Sequence, residues 1–371
     1  MTPKQRSGQP PRILVVASPM VSAGGVYSYL ERVLPRIRDR GWTTGLLWTA
    51  RVPVEPPPAD WSRAVAEGES MQARRRHLQS ELRTAIEEWR PDVLLSVLPQ
   101  SDVACAHLRR ETGLPWVAMV HGNPWPRAGE MPFLRRIAWR AAVALAYRRA
   151  DGIVAVSGVV ADEVKSALRL RRPITNVGSG VDVPEPTARP QRSEPTIGYL
   201  GRLSHEKAPD LFIEIARLAG TRALIYGDGP LAETVTSAAA QHPLIEYHGW
   251  SDRDAALDEI DVLVVASRRE AMPLVVLEAG ARGICTIARD TGGIGEVLSL
   301  DPELSKRCLL PRTAEPADFA ASLRTLLDAP QERDQLALRL HEVVRRHFAL
   351  DKHVDRLLGA VESILAPPQQ H

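Results

Sequence analysis

Thr196-Ile-Gly-Tyr-Leu-Gly-Arg-Leu-Ser-His-Glu-Lys207 restarts a rhythm that the segment before it interrupts. Thr196–Leu200 reads as a short buried strand, the glycine and polar residues after it as a loop, and Pro209–Ala219 as an amphipathic helix. The preceding stretch, Val181 to Pro195, holds four prolines and no apolar periodicity, which is linker composition. Beyond the restart, strands are expected at Arg222–Tyr226, Leu244–Tyr247, Val262–Ala266 and Cys285–Ala288. Helices fit Leu231–Ala240, Arg253–Glu259, Pro273–Ala281, Arg333–Arg346 and Lys352–Leu365.

The same rhythm runs upstream of the linker. Ile13–Ala17, Pro91–Val97, Trp116–Val120 and Gly152–Val156 read as strands, with helical stretches such as Glu81–Trp89 and Val159–Leu168 among them. Repeated strand–helix units imply a parallel sheet covered on both faces. The expectation is therefore an α/β protein with two successive halves. Ligands of such sheets bind at the carboxyl ends of strands, so a cleft between the halves is the expected site.

Composition narrows the function classes. The chain has 371 residues, enough for two domains. Its formal net charge is only +2, which gives no nucleic-acid signal. Three widely spaced cysteines argue against a disulfide framework or a zinc cluster and fit a reducing cytoplasm. The polar, Pro-containing N-terminus lacks the apolar core of a signal peptide and reads as a disordered leader. No apolar run is long enough for a membrane span.

Chemistry gathers at the strand ends of the second half. In Arg269-Glu-Ala-Met-Pro-Leu-Val-Val-Leu-Glu278, two acids flank an apolar run. If Pro273 is the first helical residue, the Leu274 and Val275 amides are left open for phosphate. Glu270 and Glu278 then suit hydroxyl groups on either side. Arg202 and Lys207 lie in a loop where cations could reach a diphosphate. Gly227 and Gly229 form a turn that permits close backbone approach. A nucleotide sugar matches this set. Read alone, the acids could equally be solvated residues of an ordinary amphipathic helix. Asp252-Arg-Asp254 imitates a metal motif, but it begins a helix, where acids cap N–H groups.

The ordered set Gly201–Lys207, Tyr226–Pro230, the paired glutamates and Thr291-Gly-Gly-Ile-Gly-Glu296 resembles the retaining nucleotide-sugar glycosyltransferases of family 4. Gly24-Gly25-Val26, His121-Gly-Asn123 and Ala155-Val-Ser157 extend the likeness more loosely into the first half. The resemblance implies the GT-B fold, two Rossmann-like β/α/β domains facing across a deep cleft. Residues 1–185 would form the acceptor domain, completed by the C-terminal helix at 352–371, and residues 186–351 the donor domain. It implies His121, Arg202, Lys207 and Glu270 as catalytic residues. Gly24, Gly25, Gly227, Gly249, Trp250, Met272, Leu274, Val275 and Glu278 would join Arg202, Lys207 and Glu270 around the donor. Arg202 and Lys207 would hold its diphosphate, Glu270 its sugar and Glu278 its ribose. Gly25, Asn123 and Trp125 would meet the acceptor. No cofactor or metal is implied. The expected partners are a nucleotide-sugar donor, UDP-linked by default, and a hydroxyl acceptor on a secondary metabolite, glycolipid or saccharide.

Three positions depart from the family pattern. Ala208 and Ala271 stand where glycine is usual, and Gly295 where proline is common, so altered loop stiffness is expected. A nucleotide-sugar epimerase, a phosphorylase or a non-catalytic nucleotide-sugar-binding protein are the alternatives on such a fold. In the acceptor half, Leu98–Ser101, Gly122–Arg127 and the Pro-rich Arg51–Trp61 are candidate loops, with Trp61 and Trp125 able to stack on a ring. Phe133–Arg149 is both apolar and basic. The favoured expectation is a core-facing helix with a solvated basic side; the rival is peripheral contact with an anionic membrane surface, at the inner face of the membrane.

Overall fold

The structure, a computed structural model, describes residues 8–18, 25–50, 55–66, 71–125, 131–185, 192 and 194–366. The chain divides into two compact units, Met1–Gly178 with His353–His371, and Ser179–Lys352. The division falls ahead of the Pro-rich segment because Val181 is tied into the second unit. Its N–H donates to Phe348 O, and its own carbonyl accepts from Leu350 N–H, both at 2.9 Å.

The first unit is built on strands β1 (Arg12–Ala17), β2 (Thr43–Ala50), β3 (Trp61–Ala66), β4 (Val93–Val97), β5 (Trp116–Val120), β6 (Gly152–Ala155) and β7 (Thr175–Asn176). They pair in parallel in the order β3-β2-β1-β4-β5-β6-β7. Its helices are α1 (Gly25–Asp39), α2 (Met71–Trp89), α3 (Pro99–Thr112), α4 (Phe133–Arg149) and α5 (Gly158–Leu168). β4 and β5 are buried at every position, as strands covered on both faces must be. The strand order reverses between β1 and β4.

The second unit repeats the plan. Strands β8 (Ile197–Leu200), β9 (Ala223–Tyr226), β10 (Ile245–Gly249), β11 (Val262–Val265), β12 (Cys285–Arg289) and β13 (Leu309–Leu310) are parallel, in the order β10-β9-β8-β11-β12-β13. The helices are α6 (Pro209–Ala219), α7 (Ala232–Gln241), α8 (Arg253–Asp258), α9 (Leu274–Ala281), α10 (Ile294–Leu298), α11 (Pro302–Arg307), α12 (Pro316–Leu327) and α13 (Pro330–His347). The last helix, α14 (Leu350–Leu365), starts in this unit and passes into the first at His353. There Ile364 packs so closely on Gly152 that a Cβ at Gly152 would lie 2.2 Å from its Cδ1.

Several expectations need correction. β2, β3 and α3 were not anticipated. Trp61 is no loop platform: it opens β3 and stacks on Trp89 with ring centroids 6.1 Å apart. Pro273 is not the first helical residue but the cap before it, and Leu274 leads the helix. α4 does not bury its apolar residues as a set. Val143, Ala146 and Tyr147 are buried, whereas Phe133, Leu134, Ile137 and Leu145 are exposed. Gly24, residues 51–54 and residues 126–127 lie outside the described residues.

Candidate active site

In the second unit the chain runs outward through β8, β9 and β10, then returns to lay β11 and β12 on the other side of β8. The loops after β8 and β11 therefore meet across the point where the strand order reverses, the usual ligand position in an open parallel sheet. Backbone bonds stitch them together. Arg268 N–H donates to Glu206 O at 2.8 Å, and the Arg268 guanidinium donates to His205 O at 2.9 Å. It also grips Asp210, at 2.5 and 2.8 Å.

This stitching brings Lys207 to Glu270. The Lys207 ammonium donates to both carboxylate oxygens, at 2.7 and 2.6 Å. The Glu270 side chain is 2% exposed and that of Lys207 36% exposed, so the carboxylate lies inside and the cation at the rim. An ammonium has three N–H bonds; two serve Glu270 and one is left for a ligand. Arg202, in the same loop, is exposed, and its side chain has no partner among the described residues.

Glycines set the shape around the pair. Gly292 has φ +56°, and a Cβ there would fall 1.8 Å from Glu270 O. Gly293 would place a Cβ 2.8 Å from Ala271 O. The loop after β12 thus presses on the backbone that carries Glu270, as only glycine allows. Gly227 (φ +135°) meets Gly201 in the same way, a Cβ falling 1.9 Å from Gly201 O. Gly227 N–H donates to Gly249 O at 2.7 Å, which links the loop after β9 to the end of β10.

The start of α9 differs from expectation. Leu274 N–H donates to Met272 O at 3.0 Å instead of standing open, while Val276 and Leu277 donate to Pro273 O at 3.0 and 3.3 Å. Met272 is buried, Leu274 and Val275 are half-buried, and Trp250 is exposed beyond β10. Glu278 is buried and receives an ion pair from Arg253, the first residue of α8. Sequence reasoning missed Arg253 as a site residue, although its position was readable. Asp252 Oδ1 accepts from the Asp254 and Ala255 amides, both at 3.1 Å, and so fixes the helix start at Arg253. Ala208 occupies the left-handed region at φ 57°, which explains why glycine suits that position.

In the first unit, His121 follows β5. Its Nε2 is buried and has no hydrogen-bond partner among the described residues. Burial lowers its pKa to about 4, with His353 nearby adding to the effect, so the ring is neutral at pH 7. Tyr29 of α1 packs edge-on against it, ring centroids 5.0 Å apart. Trp48 Nε1, Thr49 Oγ1 and Ser101 Oγ are also buried without partners among the described residues, and all lie near the carboxyl edge of this sheet. Trp48 and Thr49 are neighbours on one strand, so their side chains point to opposite faces of the sheet. Asn123 Oδ1 accepts from Trp125 N–H at 3.3 Å, and the Arg140 guanidinium lies 5.2 Å over the Trp125 ring. A Cβ at Gly25 would meet nothing within 4 Å.

Comparison with known proteins bears on the family and the fold. The family model described as Glycosyltransferase Family 4 matches residues 23–185, and that for Glycosyl transferases group 1 matches residues 194–329. A glycogen synthase of Mycobacterium tuberculosis is 28% identical over 262 residues, which cover 65% of this chain and 61% of that protein. The match thus spans less than two thirds of that relative. A 2-deoxystreptamine N-acetyl-D-glucosaminyltransferase of Streptomyces fradiae is 28% identical over 294 residues, covering 70% of this chain and 69% of its own. Among solved structures, the sucrose-phosphate synthase of Thermosynechococcus elongatus superposes with a TM-score of 0.77 at 16% identity, covering 95% of this chain and 99% of that one. Anabaena HepE in complex with UDP-glucose gives 0.74 at 17% identity, covering 94% and 99%.

Proposed function

The chain belongs to glycosyltransferase family 4 and has the GT-B fold, and on that premise we propose that it moves a sugar from a nucleoside-diphosphate sugar to an acceptor hydroxyl with retention of anomeric configuration. The observation that carries the reading is the Lys207–Glu270 pair at the strand-order reversal, with the unpartnered cation of Arg202 in the same loop.

In this reading the anomeric carbon–phosphate oxygen bond breaks and a bond to the acceptor oxygen forms on the same face. The acceptor's proton passes to the departing phosphate. Negative charge grows on the diphosphate, and Arg202 and the remaining Lys207 N–H stabilise it, the lysine from a position that Glu270 fixes beforehand. Glu270 holds Lys207 in place and offers its oxygens to a donor-sugar hydroxyl. Glu278, oriented by Arg253, takes the ribose hydroxyls. His121, neutral, offers its unpaired Nε2 to the sugar. Two cations at the diphosphate can serve the role a divalent metal plays elsewhere, so the proposed reaction needs none. Uridine is the proposed base because a solved protein of this fold is described with UDP-glucose. The proposed acceptor is a hydroxyl of a secondary metabolite, glycolipid or saccharide.

Calorimetry with UDP, GDP and ADP, followed by turnover of the best-matched sugar donors in the presence of chelator, tests the reading. Micromolar binding of one nucleotide and acceptor-dependent release of it are expected. Failure of all three nucleotides to bind would sink the proposal, and interconversion of donor sugars without acceptor would replace it with an epimerase.

A further inference from the structure

We propose that the exposed side of α4, together with the groove it forms with α5, docks the protein on an anionic lipid bilayer. Leu134, Ile137, Ala141 and Leu145 follow one another at helical spacing and form one stripe. The opposite side carries Val143, Ala146 and Tyr147 into the core, so this stripe is left to solvent. Leu134 is 78% exposed, Phe133 65%, Ile137 51% and Leu145 46%. A stripe of this kind with no covering element among the described residues marks an interaction surface.

Charge identifies the partner. α4 holds five arginines and no acid, although the whole chain nets only +2. None of Arg135, Arg136, Arg140, Arg148 and Arg149 forms an ion pair with a carboxylate among the described residues. Elsewhere in the same chain, arginines commonly do, as at Arg109–Asp151, Arg222–Glu246 and Arg268–Asp210. Beside the stripe lies a groove of ≈ 330 Å³ floored by Ile137, Ala141, Ala144 and Leu168 and edged by Arg140 and Arg148. Each of those two arginines spends one N–H on a carbonyl at the end of α5, Ala167 O at 3.1 Å and Leu168 O at 3.3 Å. The remaining guanidinium donors suit a phosphate headgroup, and the apolar floor suits the first methylenes of an acyl chain. Long basic side chains flanking an apolar stripe are the arrangement of a helix lying in a bilayer interface. A second copy of the chain fits less well. A helix of 17 residues is about 25 Å long, and its one exposed stripe is small beside the roughly 800 Å² per partner of a stable protein interface.

The test is co-sedimentation of the full chain with vesicles of phosphatidylcholine alone and of phosphatidylcholine with 30 mol% phosphatidylglycerol, a readout that does not involve sugar transfer and so stands apart from the transferase reading. The chain should pellet with the anionic vesicles and not with the neutral ones, and 0.5 M salt should release it. Leu134→Ser with Ile137→Ser should lower partitioning at least about tenfold, and Arg140→Gln about fivefold. These residues lie on the surface, and the variants' melting curves should match the parent. Absence of binding to anionic vesicles, equal binding to both compositions, or unchanged binding by the variants would overturn the proposal. So would a concentration-dependent dimer that the double substitution abolishes while vesicle binding is absent, which would assign the face to a second copy.

Discussion

Lys207 Nζ lies 2.6 and 2.7 Å from the two oxygens of Glu270, and the two residues come from loops on opposite sides of the strand-order reversal. The carboxylate is inside, and the ammonium faces it from the rim. Removing the cation alone leaves a buried, unpaired charge. Lys207→Met should therefore cost roughly 1–3 kcal/mol of stability, between an exposed and a fully buried pair because the lysine is at the rim. Lys207→Met with Glu270→Gln should recover most of that stability and still fail to turn over donor. Denaturant melts and activity assays on both variants check this. Recovery of turnover in the double variant would mean that the pair is structural only.

Gly292 packs against the backbone that carries the same carboxylate. Gly292→Ala forces either a positive-φ alanine against Glu270 O or a shift of the Glu270 backbone. Turnover should fall at least about tenfold, since a displacement of about 1 Å at the site can cost more than that. Gly283→Ala is the matched control. Gly283 has φ +65° with nothing within 4 Å of its Cβ position, so it should lose about 1–2 kcal/mol of stability and no activity. Equal activity losses at the two positions would argue against a role for loop pressure on Glu270.

Arg202 and Glu278 separate charge from anchoring. Arg202→Ala breaks no side-chain hydrogen bond or ion pair of the folded chain among the described residues. Its stability should stay within about 0.5 kcal/mol of the parent, while affinity for the nucleoside diphosphate should drop by about 1.5–3 kcal/mol. Calorimetry measures it, and unchanged affinity removes Arg202 from the site. Glu278→Ala should raise the donor KM more than Glu270→Ala does. A reversed order would exchange the roles given to the two acids.

Strands such as Val262–Val265, buried at every position, were legible in the sequence because their apolar runs are unbroken. β3 was not, because at the sheet edge its residues Trp-Ser-Arg-Ala-Val-Ala mix polar and apolar character. α3 was hidden by its buried Asp102. That residue is satisfied by Ser96 at 2.6 Å and Tyr147 at 3.0 Å, partners that only the fold brings near. The site loops could be read from their glycines and charges. The Lys207–Glu270 and Arg253–Glu278 pairs could not, since separations of 63 and 25 residues carry no periodic signal. α4 offers two apolar faces, and periodicity alone does not say which one the core takes.

His353 gives a pH signature to the entry of α14 into the first unit. The Tyr29 hydroxyl lies 2.8 Å from His353 Nε2, and His353 Nδ1 lies 3.3 Å from Val177 O. With Nδ1–H directed at the carbonyl, Nε2 accepts from the tyrosine and the ring is neutral. Burial lowers its pKa to about 4, aided by Arg356 and opposed by the bond to Val177. The unfolded chain, with an ordinary histidine pKa of about 6.5, takes up a proton between those values that the folded chain refuses. Stability from this residue is therefore complete above about pH 6.5 and is lost as pH falls toward 4, by an amount of order 2–3 kcal/mol. Asp102 acts in the opposite sense, since burial raises its pKa to about 7 and its contribution fades as pH rises. Comparison with His353→Gln cancels that background, because glutamine keeps an acceptor for Tyr29 and cannot ionise. The stability of His353→Gln relative to the parent should rise steadily as pH is lowered from 7 to 4.5, measured by denaturant melts at each pH. A constant difference across that range would mean that His353 is not held neutral in the fold.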